Sequence, residues 1–142
     1  MDGRKKLTNR VKTRIRFSEV DPMGVVWHGN YLKFFEDGRE AFGREFGIGY
    51  YDVFEYGFMT PVVRLDIDYK EMVRYGDELI IETEYVNVPA AKIVFKYTVF
   101  NAANNRVVAK GRSTQVFIDK HNQLQLTNPE FYAIWKEKYG LS

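Results

Sequence analysis

The segment Asp21-Pro22-Met23-Gly24-Val25-Val26-Trp27-His28-Gly29-Asn30-Tyr31 holds the densest set of groups able to do chemistry. Asp21 is a carboxylate in a loop of turn composition, and the loop leads into an apolar pattern of helical period. The start of a helix carries backbone N–H groups without intrahelical partners and a partial positive charge. Such a start can hold a developing oxyanion while a carboxylate attacks, or directs water, at a nearby carbonyl. Gly24 and Gly29 allow the backbone to approach a ligand closely. Asp21 can equally be a turn aspartate whose oxygens only accept bonds from backbone N–H groups. His28 can touch a substrate or merely begin the helix. Glu36 is a second carboxylate that could face the site, although one turn into an amphipathic helix such a residue is more often solvated. His121, between Lys120 and Asn122 in a polar turn, reads as surface.

The elements that must position these groups follow from periodicity. Val11, Thr13, Ile15 and Phe17 alternate with Lys12, Arg14, Arg16 and Ser18, the period of a half-buried strand. From Asn30 the period lengthens: Tyr31, Phe34, Phe35, Gly38, Phe42 and Phe46 share one side of a helix. Asn30 is the expected N-cap and Gly47 the expected stop. Lys33–Asp37 and Glu40–Arg44 have the spacing of weak ion pairs. Gly38 and Gly43 cost helix propensity, so a neighbouring backbone is expected to pass close to them. Four more strands follow: Val63 to Lys70, Glu78 to Val88, Lys92 to Phe100, and Arg106 to about Ile118. Their short connections imply antiparallel hairpins. A last amphipathic helix, Pro129 to Lys138, carries Phe131, Ile134 and Trp135 on its apolar side. The sum is an α+β domain with its helices on one antiparallel sheet.

Composition narrows the function classes. The 142 residues suffice for one domain, residues 1–142, and no internal repeat or Pro/Gly/Ser-rich linker divides it. Apolar residues make up 45% and aromatic residues 16%, which argues for a packed core. Twenty-one Lys and Arg against 19 Asp and Glu leave +2 overall, so no whole-protein field attracts nucleic acid or membrane. An anionic ligand must then be gripped locally. The absence of cysteine excludes disulfides, thiolate nucleophiles and cysteine-rich metal sites. Two histidines far apart without a ligand-spaced partner give no metal pattern, and no cofactor is expected. Met1 to Arg10 is polar and basic with no signal-peptide core, and no apolar run could span a bilayer, so a cytoplasmic protein is expected.

The stretch Phe17-Ser18-Glu19-Val20-Asp21-Pro22-Met23-Gly24-Val25-Val26-Trp27-His28-Gly29-Asn30-Tyr31 resembles the signature of the 4-hydroxybenzoyl-CoA thioesterase family of hotdog proteins. Thr60-Pro61-Val62 and the segment from Tyr69 through Tyr75-Gly76-Asp77-Glu78-Leu79 continue the resemblance, which covers Val11 to Ile118. The resemblance implies a hotdog fold: a five-stranded curved antiparallel sheet wrapped around a long central helix, in the order strand, helix, four strands. That gives a core over residues 10–119 and a C-terminal helix over 128–138. It implies a homo-oligomer, a dimer or tetramer, with sites at subunit interfaces, and an acyl-CoA substrate cleaved to a carboxylic acid and CoA. Carried over residue by residue, Asp21 matches the catalytic aspartate. The backbone N–H at position 28 matches the amide that polarises the thioester carbonyl, with the His28 side chain a secondary catalytic candidate. Asn30 and Tyr31 match positions that cap the helix and line the pocket, and Thr60 matches a residue near the acyl group. Gly24, Trp27 and Gly29 complete the expected substrate contacts.

One departure stands out. The turn between the third and fourth strands often carries several cations for the CoA phosphates, and here it reads Val88-Pro89-Ala90-Ala91-Lys92. Lys92, Arg74 and Arg112 are the available basic groups, or the carrier is an acyl-carrier protein. A hydratase of the same fold would need a Pro-Gly segment after His28, which is absent. A module that binds an acyl thioester without cleaving it is the non-enzymatic alternative. Nucleic-acid binding lacks a basic aromatic array.

Overall fold

Five strands, in the spatial order Thr8–Arg14, Glu78–Val86, Lys92–Asn101, Val107–Val116 and Val62–Tyr69, form one sheet in which each is antiparallel to its neighbours. The computed structural model describes residues 7–141. The elements are β1 (Thr8–Arg14), α1 (Tyr31–Phe46), α2 (Tyr50–Glu55), β2 (Phe58–Met59), β3 (Val62–Tyr69), β4 (Glu78–Val86), β5 (Lys92–Asn101), β6 (Val107–Val116), β7 (Ile118–Asp119) and α3 (Glu130–Lys138). β2 and β7 form a separate two-stranded ribbon. Among the described residues no helix is long and apolar enough to cross a membrane.

The aromatic stripe of α1 faces the sheet as its period requires. Tyr31, Phe34, Phe35, Gly38 and Phe42 are buried, and Phe46 packs at the margin. The sheet answers with Ile81, Phe95, Tyr97, Val99 and Ala109, every second residue of β4, β5 and β6. Phe35 stacks on Tyr97 with ring centroids 4.4 Å apart and planes 9° apart. Gly111, cross-strand from Tyr97, makes room for that pair, because a Cβ there would overlap the Phe35 ring. Gly43 touches backbone, with the Cα of Gly49 only 2.6 Å from where its Cβ would stand. At Gly38 the close neighbours are side chains, Ile81 and Thr83 of β4. Gly47 ends the helix at φ 71°, the left-handed conformation expected of a glycine stop.

Several expectations are corrected. β1 stops at Arg14, and Phe17 opens a 3-10 turn (Phe17–Glu19) with 78% of its surface exposed. The third sequence-read strand ends at Val86 rather than Val88, and the last is broken after Val116, with Ile118–Asp119 pairing instead with β2. Lys33 does not pair with Asp37; its Nζ lies 3.4 Å from the buried Glu19 carboxylate, whereas Glu40–Arg44 forms as expected at 2.9 Å. In α3 the buried residues are Tyr132, Trp135 and Lys136, and Ile134 is exposed. Trp135 and Phe131 pack inward as expected, and the face turns toward Tyr132, which hydrogen-bonds Tyr85 and the Lys92 carbonyl, leaving Ile134 outside.

Candidate active site

The loop between β1 and α1 is built from short hydrogen-bonded closures. Asp21 N–H donates to the Val25 carbonyl at 2.9 Å and Gly24 N–H to the Asp21 carbonyl at 2.9 Å. Asp21 Oδ1 accepts from Met23 N–H at 2.9 Å and Val25 N–H at 3.3 Å. One carboxylate oxygen thus does the turn-closing work of an ordinary turn aspartate. Oδ2 takes no hydrogen bond from any described residue. Gly24 is required by its φ of 77°, not by an approaching ligand, since a Cβ there would meet nothing within 4 Å.

Two further ties fix this turn. Val25 pairs with Arg74 in an antiparallel bridge, and Val26 N–H donates to the Val73 carbonyl at 2.7 Å. The Glu19 carbonyl accepts from Trp27 N–H at 3.1 Å and from Asn30 Nδ2 at 2.8 Å. Asn30 is therefore not the N-cap by side chain: it closes a 3-10 turn (His28–Asn30) that runs into α1, and its amide grips the loop instead. The Glu19 carboxylate, 3% exposed, accepts the Arg16 N–H at 2.7 Å and sits beside Lys33. Glu19 joins loop to helix, a role the sequence reading missed. The signal was present: Glu19 follows Arg16 by three residues, the spacing at which a carboxylate reaches back to a turn's first N–H.

The 3-10 turn leaves the N–H groups of His28 and Gly29 ahead of the first internal bond, which Asn30 N–H makes to the Trp27 carbonyl. Tyr69, at the end of β3, donates its hydroxyl to the His28 carbonyl at 3.1 Å. The His28 ring is exposed and lies edge-on to Tyr69 at 6.3 Å. Trp27 is 54% exposed, and its indole lies over Gly29, where any Cβ would overlap the ring. Gly29 thus serves aromatic packing. Tyr31 is buried rather than lining an open pocket, and burial, with Tyr69 adding to it, pushes its phenol up to about 12.

The other expected site residues do not gather here within one chain. Thr60 precedes β3 at the end opposite Tyr69, roughly 25 Å along an eight-residue strand. Its carbonyl and hydroxyl receive the Gln115 amide at 2.7 and 3.3 Å. Lys92 begins β5 at that same far end, and Arg112 stands on the sheet face turned away from α1, cross-strand from Lys96 and Asp66. Arg74 alone adjoins the Asp21 loop. Glu36 and His121 are exposed. Among the described residues no group of three His, Cys, Asp or Glu could hold a metal ion.

Residues 15–135 match the thioesterase-like superfamily. The chain is 29% identical over 131 residues to YneP of Bacillus subtilis (strain 168), provisionally named an acyl-CoA thioesterase, covering 92% of this chain and 94% of that protein. The structure superposes on a DHNA-CoA thioesterase from Staphylococcus aureus with a TM-score of 0.83 at 25% identity, covering 94% of this chain and 89% of that one. The 4-hydroxybenzoyl-CoA thioesterase of Pseudomonas sp. strain CBS-3 gives a TM-score of 0.77 at 23% identity, over 90% and 98% of the two chains, and shares the fold. The chain belongs to the thioesterase-like superfamily, and its sheet around a central helix is the hotdog fold. Its class is that of the thioester hydrolases.

Proposed function

We propose that the protein hydrolyses acyl-CoA to a carboxylic acid and free CoA, with Asp21 as nucleophile or general base and the start of the α1 turn as the oxyanion site. The observation that carries this reading is the joining of a carboxylate with one uncommitted oxygen to a helix start with uncommitted N–H groups, through the Glu19 carbonyl and Asn30. As a nucleophile, Asp21 adds to the thioester carbonyl, the N–H of His28 stabilises the oxyanion, and the thiolate leaves and is protonated by water. The resulting mixed anhydride is then hydrolysed. As a general base, Asp21 takes a proton from water as that water adds to the carbonyl, and passes it to the departing thiol. Either route needs donors aimed where charge develops.

We also infer that the working unit is at least a dimer. Among the described residues the outer edge of β3 has no partner strand, and Val62 and Val63 beside it are 40% and 59% exposed. A twofold pairing of this edge with a second copy is antiparallel, so it brings Thr60 of the partner subunit toward Tyr69 and the Asp21 loop. Thr60 then becomes a contact to the acyl group.

A second reading, hydrolysis of acyl-carrier-protein thioesters, is favoured by one observation: the 88–91 turn has no cation for CoA phosphates. Thiol release from a panel of acyl-CoA esters, set beside the same acyl groups on a carrier protein, decides between them. Binding of acyl-CoA with no thiol released would make the protein a binding module and overturn both readings.

A further inference from the structure

The exposed side of β1 carries Arg10, Lys12 and Arg14, and Arg16 follows just beyond the strand end. Side chains two residues apart on a strand stand roughly 7 Å from one another on the same face. Arg10 and Arg14 reach Glu82 and Glu78, at 2.7 and 3.5 Å. Lys12 faces Ile80 across the strands and forms no ion pair among the described residues, and Arg16 forms none either, although Asp37 feels its charge. The row ends at two aromatic rings that most soluble surfaces would cover. Phe17 is 78% and Tyr75 60% exposed, and their rings meet edge to face at 5.8 Å and 88°. A cavity of about 590 Å³ opens there, lined by Lys12, Arg14, Arg16, Phe17 and Tyr75. The shelf adjoins the proposed site: Tyr75 N–H donates to the Gly24 carbonyl at 3.4 Å, and Gly24 N–H to the Asp21 carbonyl at 2.9 Å.

We propose that this shelf binds the nucleotide end of the substrate's CoA, adenine against Phe17 and Tyr75 and phosphates along Lys12, Arg14 and Arg16. The proposal rests on the acyl-CoA reading above. Two crossed rings leave an open ring face for a flat base, and base–aromatic stacking tolerates any base. A row of cations in which Lys12 and Arg16 form no ion pair among the described residues, and Arg14 only a 3.5 Å one, suits a ligand that carries a diphosphate and a ribose phosphate together. An acidic protein surface would satisfy the cations but leave the aromatic pair without a reason to stand in solvent. The flexible pantetheine arm joins the two places, and the shelf supplies the cations that the 88–91 turn lacks.

The test compares acyl-CoA with the same acyl group on pantetheine, which has no nucleotide. In the double variant Lys12→Glu, Arg16→Glu, and separately in Phe17→Ala, the ratio of kcat/KM for acyl-CoA over acyl-pantetheine falls about tenfold, through KM for acyl-CoA. An unchanged ratio in both variants overturns the proposal. So does a fall produced by Arg112→Glu, three strands away on the same sheet face, but by neither shelf variant. A loss confined to acyl-carrier-protein substrates would also overturn it, and would assign the shelf to that partner. Calorimetry with adenosine 3′,5′-bisphosphate keeps the shelf testable if no thioester is turned over. Saturable binding that the double variant abolishes supports the site, and no binding by the unaltered protein removes it.

Discussion

The two ends of α1 are finished in opposite ways. At the C-terminal end every feature closes. Gly47 turns left-handed, Gly47 and Ile48 N–H groups both return to the Gly43 carbonyl, and Trp135 Nε1 donates to the Phe46 carbonyl at 2.7 Å. Phe42, Tyr85, Phe95, Tyr132 and Trp135 form a continuous aromatic plug beneath α3. At the N-terminal end the finish is open. His28 and Gly29 N–H groups find no acceptor among the described residues, and Phe17, Met23, Trp27 and Tyr75 expose 78%, 77%, 54% and 60% of their surface. One end of a single helix is built for stability, and the other keeps polar groups and apolar surface available at a cost in stability. Substitutions should divide accordingly.

The largest effect on stability is expected in the closed half. Phe42 has no exposed surface, so Phe42→Ala should lose about 3–5 kcal/mol by denaturant unfolding. Thiol release per folded molecule should be retained; a turnover loss at full folding would erase the contrast between the ends. Gly43→Ala drives a Cβ into the Gly49 backbone, 2.6 Å away, and should cost about 1–3 kcal/mol in the same measurement.

The alkaline limb of stability sharpens the comparison next. The Tyr31 phenol stands at about 12 in the folded state against 10.0 when free, and burial also raises Tyr85, Tyr97 and Tyr132. A raised folded value means that the Tyr31 contribution is complete below pH 10 and is lost as pH climbs through about 12. For Tyr31 alone the loss is on the order of 2 kcal/mol, read as a falling denaturation midpoint over that window, and Tyr31→Phe should flatten the fall. A midpoint insensitive to pH in this range would contradict the burial argument.

Small effects are expected in the open half. Tyr69→Phe removes the hydroxyl bonded to the His28 carbonyl and should cost about 1 kcal/mol of stability, with a loss of turnover below tenfold. His28→Ala keeps the backbone N–H and should lose less turnover than removal of the Asp21 charge does. Equal losses, with both variants folded, would make the imidazole a full catalytic partner.

Long periodic elements were legible in the sequence and short ones were not. The stripe from Tyr31 to Phe42 placed α1, alternation from Val11 placed β1, and runs bounded by turn segments placed β4 to β6. The six-residue helix α2 was invisible because only Val53 of Tyr50–Glu55 is buried, which leaves no apolar period to read. Phe17 looked like the last inward residue of β1, yet the chain leaves the sheet after Arg14 to reach Glu19, and a tertiary tie of that kind has no periodic signature. Of the candidate site, the turn that holds Asp21 and the helix start beside it were readable from residue type and order. Thr60 and Lys92 lie at the far end of the strands from Asp21 within one chain, a separation that residue type and order do not reveal. Asn30 has the composition of a cap but spends its amide on the Glu19 carbonyl, a competition settled only in three dimensions.

The central claim concerns the uncommitted oxygen of Asp21. Asp21→Asn keeps an acceptor for the Met23 and Val25 N–H groups, so its denaturation midpoint should stay close to that of the unaltered protein. The measurement is thiol release by that folded variant with saturating acyl-CoA. The expected result is a loss on the order of 100- to 10,000-fold, the range for a positioned acid–base group. Turnover within about tenfold of the unaltered protein, roughly 1.4 kcal/mol, would mean that Asp21 only closes a turn and that the chemistry lies elsewhere.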